Sequence, residues 1–385
     1  YKGLQKISAG GNQNEFMQLV FSNDEKVYVP LEKIHLVQKY INAEGTTPKL
    51  SKLGEKAWKK TRNKVSKTVE NIAEELADIY AERKARKGFA FAVDDLEMQK
   101  FELRFEFEET PDQMQVINSV KEEMENEMPM DRLVCGDVGF GKTEIAMRAT
   151  FKAVQQEKQV AILVPTTILA QQHFETFCKR FEGTPFIIDV ISRFRTATEQ
   201  KRIIKRLWEG KIDVLIGTHR MLSKDVKFKE LGLLVVDEEQ RFGVKHKEKI
   251  KHFRASVDVL TLSATPIPRT LHMSLMGIRD LSLVNTPPAD RRAIRTRLLP
   301  ANDYIIQEAV SREIRRDGQV FIVHNSIDTI YEYGRYLDNI LPNVKIVIGH
   351  GQMREEKLEK VMLEFINGEF NVLLSTTIIE SGLDI

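Results

Sequence analysis

Residues Gly136-Asp-Val-Gly139-Phe-Gly141-Lys142-Thr143 have the spacing G-x-x-x-x-G-K-[ST], and each fixed position has a phosphate-binding reason. The glycines let backbone N–H groups wrap an anion at the start of a helix, whose dipole adds positive potential there. Lys142 reaches the terminal phosphates of a nucleotide as a point charge, and the Thr143 hydroxyl ligates a magnesium ion. An apolar run, Arg132–Cys135, precedes this loop and a helical pattern follows it. The competing reading is an ordinary glycine turn.

About a hundred residues later, Leu233-Leu-Val-Val-Asp237-Glu238-Glu239-Gln240 is an apolar strand that ends in consecutive acids. At the carboxyl end of a parallel strand, Asp237 would face the phosphate loop and hold magnesium. Glu238 is then placed to orient and polarise an attacking water. Ser263-Ala264-Thr265-Pro266 follows the next apolar strand. The hydroxyls of Ser263 and Thr265 are candidates to bond the acidic cluster and report nucleotide state; in isolation the segment is only a turn.

The elements that must position these residues repeat as strand, loop, helix from about residue 107 onward. Strand candidates are Arg132–Cys135, Val160–Val164, Ile187–Ile191, Val214–Gly217, Leu233–Val236 and Val259–Leu262. Such alternation predicts a parallel sheet with helices on both faces. A second series follows, with strands Gln319–Val323, Lys345–Ile348 and Asn371–Leu374, and the Asn285–Asp290 segment is the natural hinge. Residues 1–38 alternate differently, in short runs with turns at Gly10-Gly11-Asn12 and Ser22-Asn23-Asp24. They predict a small bent antiparallel sheet or barrel. Between about Gly54 and Lys87, Trp58, Val65, Val69, Ile72, Leu76, Ile79 and Tyr80 recur at helical spacing. The charges at both ends of that helix read as a solvated face or as a basic helix beside DNA.

The chain has 385 residues, 42% of them hydrophobic and 30% charged, which fits a soluble protein of two or three domains. A net charge of +2 is too small to argue for a nucleic-acid partner by itself. No apolar run approaches the roughly 20 residues that cross a bilayer, so no membrane partner is expected. The two cysteines, Cys135 and Cys178, build neither a disulfide framework nor a zinc site, and a cytoplasmic location is expected. Both ends read as cut: Tyr1 enters a sequence in progress, and Ile385 follows a turn-like Ser381-Gly382.

The segments GDVGFGKT, PTTILAQQH, GTHRM, VVDEEQRFG, SATPIPRT, FIVHNS, GHGQM and STTIIESGLDI, in that order, resemble the motif set of superfamily-two helicases and translocases. More narrowly, the whole chain resembles the bacterial transcription-repair coupling factors, from Val27-Tyr-Val-Pro-Leu to the Arg241-Phe-Gly-Val, Arg279-Asp280-Leu-Ser282 and Thr286-Pro-Pro288 segments. Glu109-Thr110-Pro111-Asp112-Gln113 resembles the adenine-sensing motif of this group. RecG-like helicases share several segments but usually read Asp-Glu-Gln-His where this chain has Asp237-Glu238-Glu239-Gln240.

The resemblance implies ATP and magnesium as cofactors. It places Gln113 on adenine, with Phe107 a weaker stacking candidate, and Gly136, Gly139, Gly141, Lys142 and Thr143 on phosphates and metal. Gly382 and Asp384 match second-lobe positions facing the nucleotide. Thr166, Thr167, Thr218, His219 and Arg220 match backbone-contacting positions for double-stranded DNA in the first lobe, as do His350, Gly351, Gln352, Thr376 and Thr377 in the second. The competing reading for each is a cap or turn residue. The implied layout is a Tudor-like barrel over residues 1–45, a linker and long helix over 46–106, a RecA-like lobe over 107–285 and an incomplete second lobe over 286–385. Residues 1–45 would contact RNA polymerase, with strand Glu15–Phe21 as an exposed edge and Leu19 at its centre. The other reading puts Leu19 in the small core.

The implied activity is an ATP-dependent translocase that displaces stalled polymerase, with excision-repair proteins contacted only through regions absent from this chain. The arginine-bearing motif that completes the ATP site in such motors is not present before Ile385, so this chain is expected to bind nucleotide but hydrolyse it poorly. A RecG-like branch-migrating helicase and a nucleotide-controlled polymerase-binding scaffold are the alternatives.

Overall fold

The computed structural model describes residues 2–9, 12–30, 33, 37, 87–254, 256–264, 280–289, 291 and 294–377. The chain divides into two units, residues 1–75 and residues 76–385, described here separately. The long helix expected between Gly54 and Lys87 lies outside the described residues, except at Lys87.

In the first unit β1 (Leu4–Ala9), β2 (Asn12–Val20) and β3 (Lys26–Pro30) form an antiparallel sheet in the order β1-β2-β3. A turn of 3₁₀ helix at Ser22–Asp24, with Asp24 in the left-handed region at φ 57°, reverses the chain between β2 and β3. The expectation that Glu15–Phe21 is an exposed edge is corrected. Antiparallel pairing with both β1 and β3 puts β2 in the centre, with Met17 opposite Leu4 on one neighbour and Val29 on the other. Leu19 is half-buried and faces Val27 across the ladder.

The second unit is built on a seven-stranded, wholly parallel sheet: β4 (Asp131–Gly136), β5 (Gln159–Leu163), β6 (Ile188–Ile191), β7 (Val214–Gly217), β8 (Leu231–Asp237), β9 (Asp258–Ser263) and β10 (Asp280–Val284). The spatial order is β10-β4-β9-β8-β5-β7-β6. Successive side chains of one strand enter different cores. Val160, Ile162, Val214, Ile216, Leu233 and Val235 join one cluster, and Ala161, Leu163, Leu215, Leu234 and Val236 the other. Burial on both faces explains the continuous apolar runs of these strands.

β10 carries no usable pattern, because Ser282 and Val284 are buried while Leu283 is 47% exposed. Arg132 Nη1 donates to the Ser282 hydroxyl at 2.6 Å, which stabilises a polar side chain on the inward face.

The helices of this lobe are α1 (Leu96–Leu103), α2 (Pro111–Met124), α3 (Lys142–Gln155), α4 (Thr167–Arg180), α5 (Ala197–Trp208) and α6 (Val244–Arg254). The stretch from Lys87 to Glu106, expected with the linker, instead packs into the lobe: Phe91, Met98 and Phe101 are buried in its core. Charges fix it there. Lys152, 2% exposed on α3, bonds Ala92 O, Asp94 and Glu125 at 2.7–2.8 Å. Arg148, one turn earlier, meets Glu102, Glu109 and Glu144. Breaking so buried a paired charge costs about 3–5 kcal/mol.

A second lobe follows the hinge, with α7 (Asp303–Ile314), β11 (Val320–Val323), α8 (Ile327–Ile340), β12 (Ile346–Gly349), α9 (Glu355–Ile366) and β13 (Val372–Ser375). Its three strands are parallel in the order β11-β13-β12. Ile168 of the first lobe joins Val361, Met362, Phe365 and Leu373 of the second in one apolar cluster.

Candidate nucleotide and nucleic-acid site

The phosphate loop leaves the carboxyl end of β4 and enters α3 through two glycines in the left-handed region, Gly139 at φ 78° and Gly141 at φ 73°. Lys142 Nζ donates to the carbonyls of Gly136 and Asp137 at 2.6 and 3.0 Å, inside the cradle of its own loop. Burial holds the lysine below its ordinary pKa, opposed by the charges of Asp237, Glu238 and Asp137. β4 and β8 both pair with β9 in parallel, so the loop after β4 and the acids at the end of β8 leave the same carboxyl edge of the sheet.

Glu238 is 4% exposed and its backbone is left-handed at φ 50°, an uncommon conformation for a residue with a Cβ. Burial, with the Asp237 charge second, raises its pKa; hydrogen bonds from the Ala264 amide and Gln240 pull the other way. Ala264 N donates to Glu238 Oε1 at 3.0 Å, and Gln240 Nε2 donates to Oε2. Ser263 Oγ in turn donates to Gln240 Oε1 at 3.3 Å. Ser263 thus reaches the acidic cluster through Gln240, a residue to which the sequence assigns no role. Thr265 lies outside the described residues.

His173 is the second unanticipated member. Its Nε2 lies 3.0 Å from Asp237 Oδ2. The signal in the sequence is only a histidine in the helix after β5, and it gains meaning once β5 pairs directly with β8.

Gln113 is 5% exposed at the start of α2. Thr110 caps that helix, Pro111 occupies its first turn, and Gln113 Oε1 accepts from Thr110 N at 2.8 Å in a capping box. Its Nε2 donates to Phe140 O at 2.9 Å, so the residue braces the phosphate loop. Phe107 is 60% exposed. The adjacent Asp112 accepts from Asn285 N and Thr286 N, both at 2.8 Å, and from the Thr286 hydroxyl at 3.0 Å. Arg291, beyond the hinge, pairs with Asp137 at 2.9 Å and lies 4.6 Å from the centre of the Phe140 ring.

Thr143 sits in the first turn of α3 and offers a hydroxyl; Asp237 offers a carboxylate. These are hard oxygen donors, and few of them, which suits magnesium: it keeps several waters and binds mainly through nucleotide phosphates. Among the described residues no group of three or more His, Cys, Asp or Glu side chains could hold a metal ion without such help.

The residues expected to meet nucleic acid fall into two groups, after the paired strands β5 and β7 of the first lobe and after the paired strands β12 and β13 of the second. Thr166 is the N-cap of α4, accepting from Leu169 N at 3.3 Å. Thr167 is 1% exposed and donates its hydroxyl to Glu359 of α9. Thr218 is 3% exposed, while His219 is exposed and stacks on His246, ring centres 5.2 Å apart. Both outer nitrogens of Arg220 are taken by Asp225 at 2.8 and 2.6 Å. His350 is 7% exposed, 2.8 Å from the Tyr331 hydroxyl, and its Nδ1 has no hydrogen-bond partner among the described residues. Gly351, Gln352 and Thr377 are exposed, and Thr376 is buried. Gly382 and Asp384 lie outside the described residues.

A phosphate loop facing strand-end acids in a parallel seven-stranded lobe, followed by a second parallel lobe, defines the RecA-like architecture of superfamily-two helicases. The family profile of DEAD/DEAH box helicases matches residues 110–274, that of the helicase conserved C-terminal domain residues 301–385, and that of the CarD-like/TRCF RID domain residues 1–41. The transcription-repair-coupling factors of Haemophilus influenzae and Bacillus subtilis are each 51% identical to it over 385 residues, all of this chain. Over its whole length the chain is thus similar to part of these transcription-repair-coupling factors, and it spans 34% and 33% of the length of those two relatives. Among solved structures, RecG bound to a three-way DNA junction is similar over 97% of this chain and 57% of its own, with 28% identity and a TM-score of 0.67. MrfA, a DUF1998 helicase bound to DNA, is similar in fold at 15% identity and a TM-score of 0.55, over 78% of this chain and 47% of its own. No helix among the described residues is long and apolar enough to cross a membrane.

Proposed function

We propose that this chain is the motor portion of an ATP-driven double-stranded-DNA translocase that displaces stalled RNA polymerase and couples transcription to nucleotide-excision repair. The carrying observation is that the Gly136–Thr143 loop follows β4 while Asp237 and Glu238 end β8, two strands that flank β9 in parallel. A lysine-bearing phosphate loop and a pair of acids therefore share one carboxyl edge of the sheet, as phosphoryl transfer to water requires. Backbone N–H groups of the phosphate loop receive the polyphosphate, and Lys142 exchanges the Gly136 and Asp137 carbonyls for phosphate oxygens. Thr143 and Asp237 would hold a magnesium ion, which when bound would supply positive charge beside the phosphates. Glu238 takes a proton from the attacking water, and the burial that raises its pKa makes it a stronger base. Gln113, with Phe107, receives the adenine.

The polymerase reading rests on the match of residues 1–41 to the CarD-like/TRCF RID domain and on the name of the relatives. Contacts with excision-repair proteins are assigned to parts of the relatives that this chain does not span. The likeness to RecG favours a second reading, fork remodelling.

One experiment separates the readings. The full-length protein is given ATP and a duplex bearing a stalled polymerase, and the same protein is given a model fork. Hydrolysis-dependent release of polymerase is expected. Fork regression without release would transfer the function to the RecG-like reading, and release without hydrolysis would make the chain a scaffold.

A further inference from the structure

Glu359 is an acid in an unusual place. It lies on α9 of the second lobe among residues that pack against the first, beside Val361 and Met362, and is 8% exposed. Its Oε1 accepts from the Thr167 hydroxyl and from Arg193 Nη2, the latter at 3.2 Å. Thr167 opens α4 after β5, and Arg193 follows β6, so two loops at the carboxyl end of the first-lobe sheet converge on one oxygen. Burying a carboxylate is costly unless such donors compensate it.

A hydroxyl and a guanidinium aimed at one anionic oxygen also match the way proteins hold a nucleic-acid phosphate without reading its sequence. In the present arrangement no phosphate reaches Thr167, which is 1% exposed, while the Arg193 side chain is 42% exposed. The carboxylate of one lobe stands where an external anion would meet the other.

We propose that Arg193 and Thr167 form a phosphodiester-binding site on the first lobe, and that Glu359 occupies it when DNA is absent. The inference rests on the reading of this chain as a DNA motor and adds a contact residue and an internal competitor to it. DNA must displace Glu359, so engaging the backbone and separating α9 from α4 are one event. A protein whose competent state is only partly populated binds with an affinity reduced by that fraction. Removing the competitor therefore tightens DNA binding without adding a contact.

The test uses the full-length protein and a fluorescein-labelled duplex of mixed sequence, without nucleotide, over a series of salt concentrations. Glu359→Gln keeps the side chain's size and removes its charge, and is expected to tighten binding by roughly 5-fold or more, the lower end of ordinary coupling between sites. Arg193→Ala is expected to weaken binding and to lower the slope of log K against log salt by about 1. In the double variant the gain from Glu359→Gln should vanish, because the site it competes for is gone.

Thermal melting establishes that each variant folds, and Arg193→Lys, which keeps the charge, should retain most of the slope. Unchanged affinity in Glu359→Gln, or a gain that survives in the double variant, overturns the proposal while DNA binding itself stands. Absence of DNA binding in every folded form, wild type included, overturns the motor reading as well.

Discussion

His173 Nε2 lies 3.0 Å from Asp237 Oδ2, so the helix after β5 grips the carboxylate at the end of β8. Partners of this kind orient a metal-binding carboxylate, and losing one costs about 10–100-fold in metal affinity or activity. His173→Ala should weaken magnesium–nucleotide binding or turnover by that amount, and His173→Gln, which keeps a donor, should recover part of it. Magnesium titrations with a fluorescent ATP analogue provide the check. Wild-type behaviour in His173→Ala would remove the residue from the site.

Glu238→Gln should keep magnesium–ATP affinity and lose about 100-fold or more of turnover, the usual contribution of a positioned base. Lys142→Ala should weaken nucleotide binding itself. The base works only when ionised, so kcat should rise with pH through a limb displaced above the ordinary glutamate value of 4.5. Burial is the first cause of that displacement. The Gln variant should show no such limb in its residual rate.

Gly141 and Gly139 separate two effects of adding a Cβ. Both have positive φ, where a side chain costs roughly 1–2 kcal/mol. At Gly141 the new atom also collides with Gln113 Nε2, whereas at Gly139 nothing lies within 4 Å. Gly141→Ala should therefore lower the melting temperature more than Gly139→Ala. Adding Gln113→Ala to Gly141→Ala should not recover the whole difference, because the Phe140 carbonyl then loses its donor. Equal melting temperatures for the two single variants would refute the clash.

The carboxylate of Asp112 ties the start of the hinge to the helix that braces the phosphate loop. Hydrogen bonds from Asn285 and Thr286 hold its pKa below the ordinary 3.8. A depressed carboxylate stabilises the fold above that value, and the contribution is lost as pH falls through the lower, folded value. Asp112→Asn should mimic the acid form at neutral pH. Amide spectra of Thr286 should show the same displacement in Asp112→Asn and in acidified wild type.

Deletion of residues 1–38 from the full-length protein should abolish polymerase binding while leaving ATP binding unchanged. Leu19, half-buried on the central strand opposite Val27, is not an edge contact to probe. Polymerase binding retained after deletion of residues 1–38 would remove the whole module from this role.

The parallel sheet was legible because strands buried on both faces must be apolar throughout, and the phosphate loop because its chemistry requires fixed residue types at fixed spacing. β10 was not legible: Ser282 faces inward with Arg132 as its partner, while Leu283 faces solvent. The segment from Lys87 to Glu106 was read as linker because its attachment depends on Lys152 and Arg148, some fifty residues away in sequence. The sequence singles out Gln113 by its place in the Glu109–Gln113 segment, but its bonds to Thr110 and to the Phe140 carbonyl needed coordinates.

Local order, spacing and residue type were enough for the sequence to specify the two-lobed architecture and a glycine-rich loop between β4 and α3, because those demands act within a strand, a loop and the helix after it. Which strands become neighbours depends on the crossovers of the whole sheet. Only the tertiary structure could therefore bring His173 to Asp237, or place β2 at the centre of its sheet. The same holds most strongly between the lobes. Nothing local to Thr167 or Glu359 marks a partnership across 192 residues, and their contact exists because Ile168 and α9 share one apolar cluster that sets the two side chains face to face.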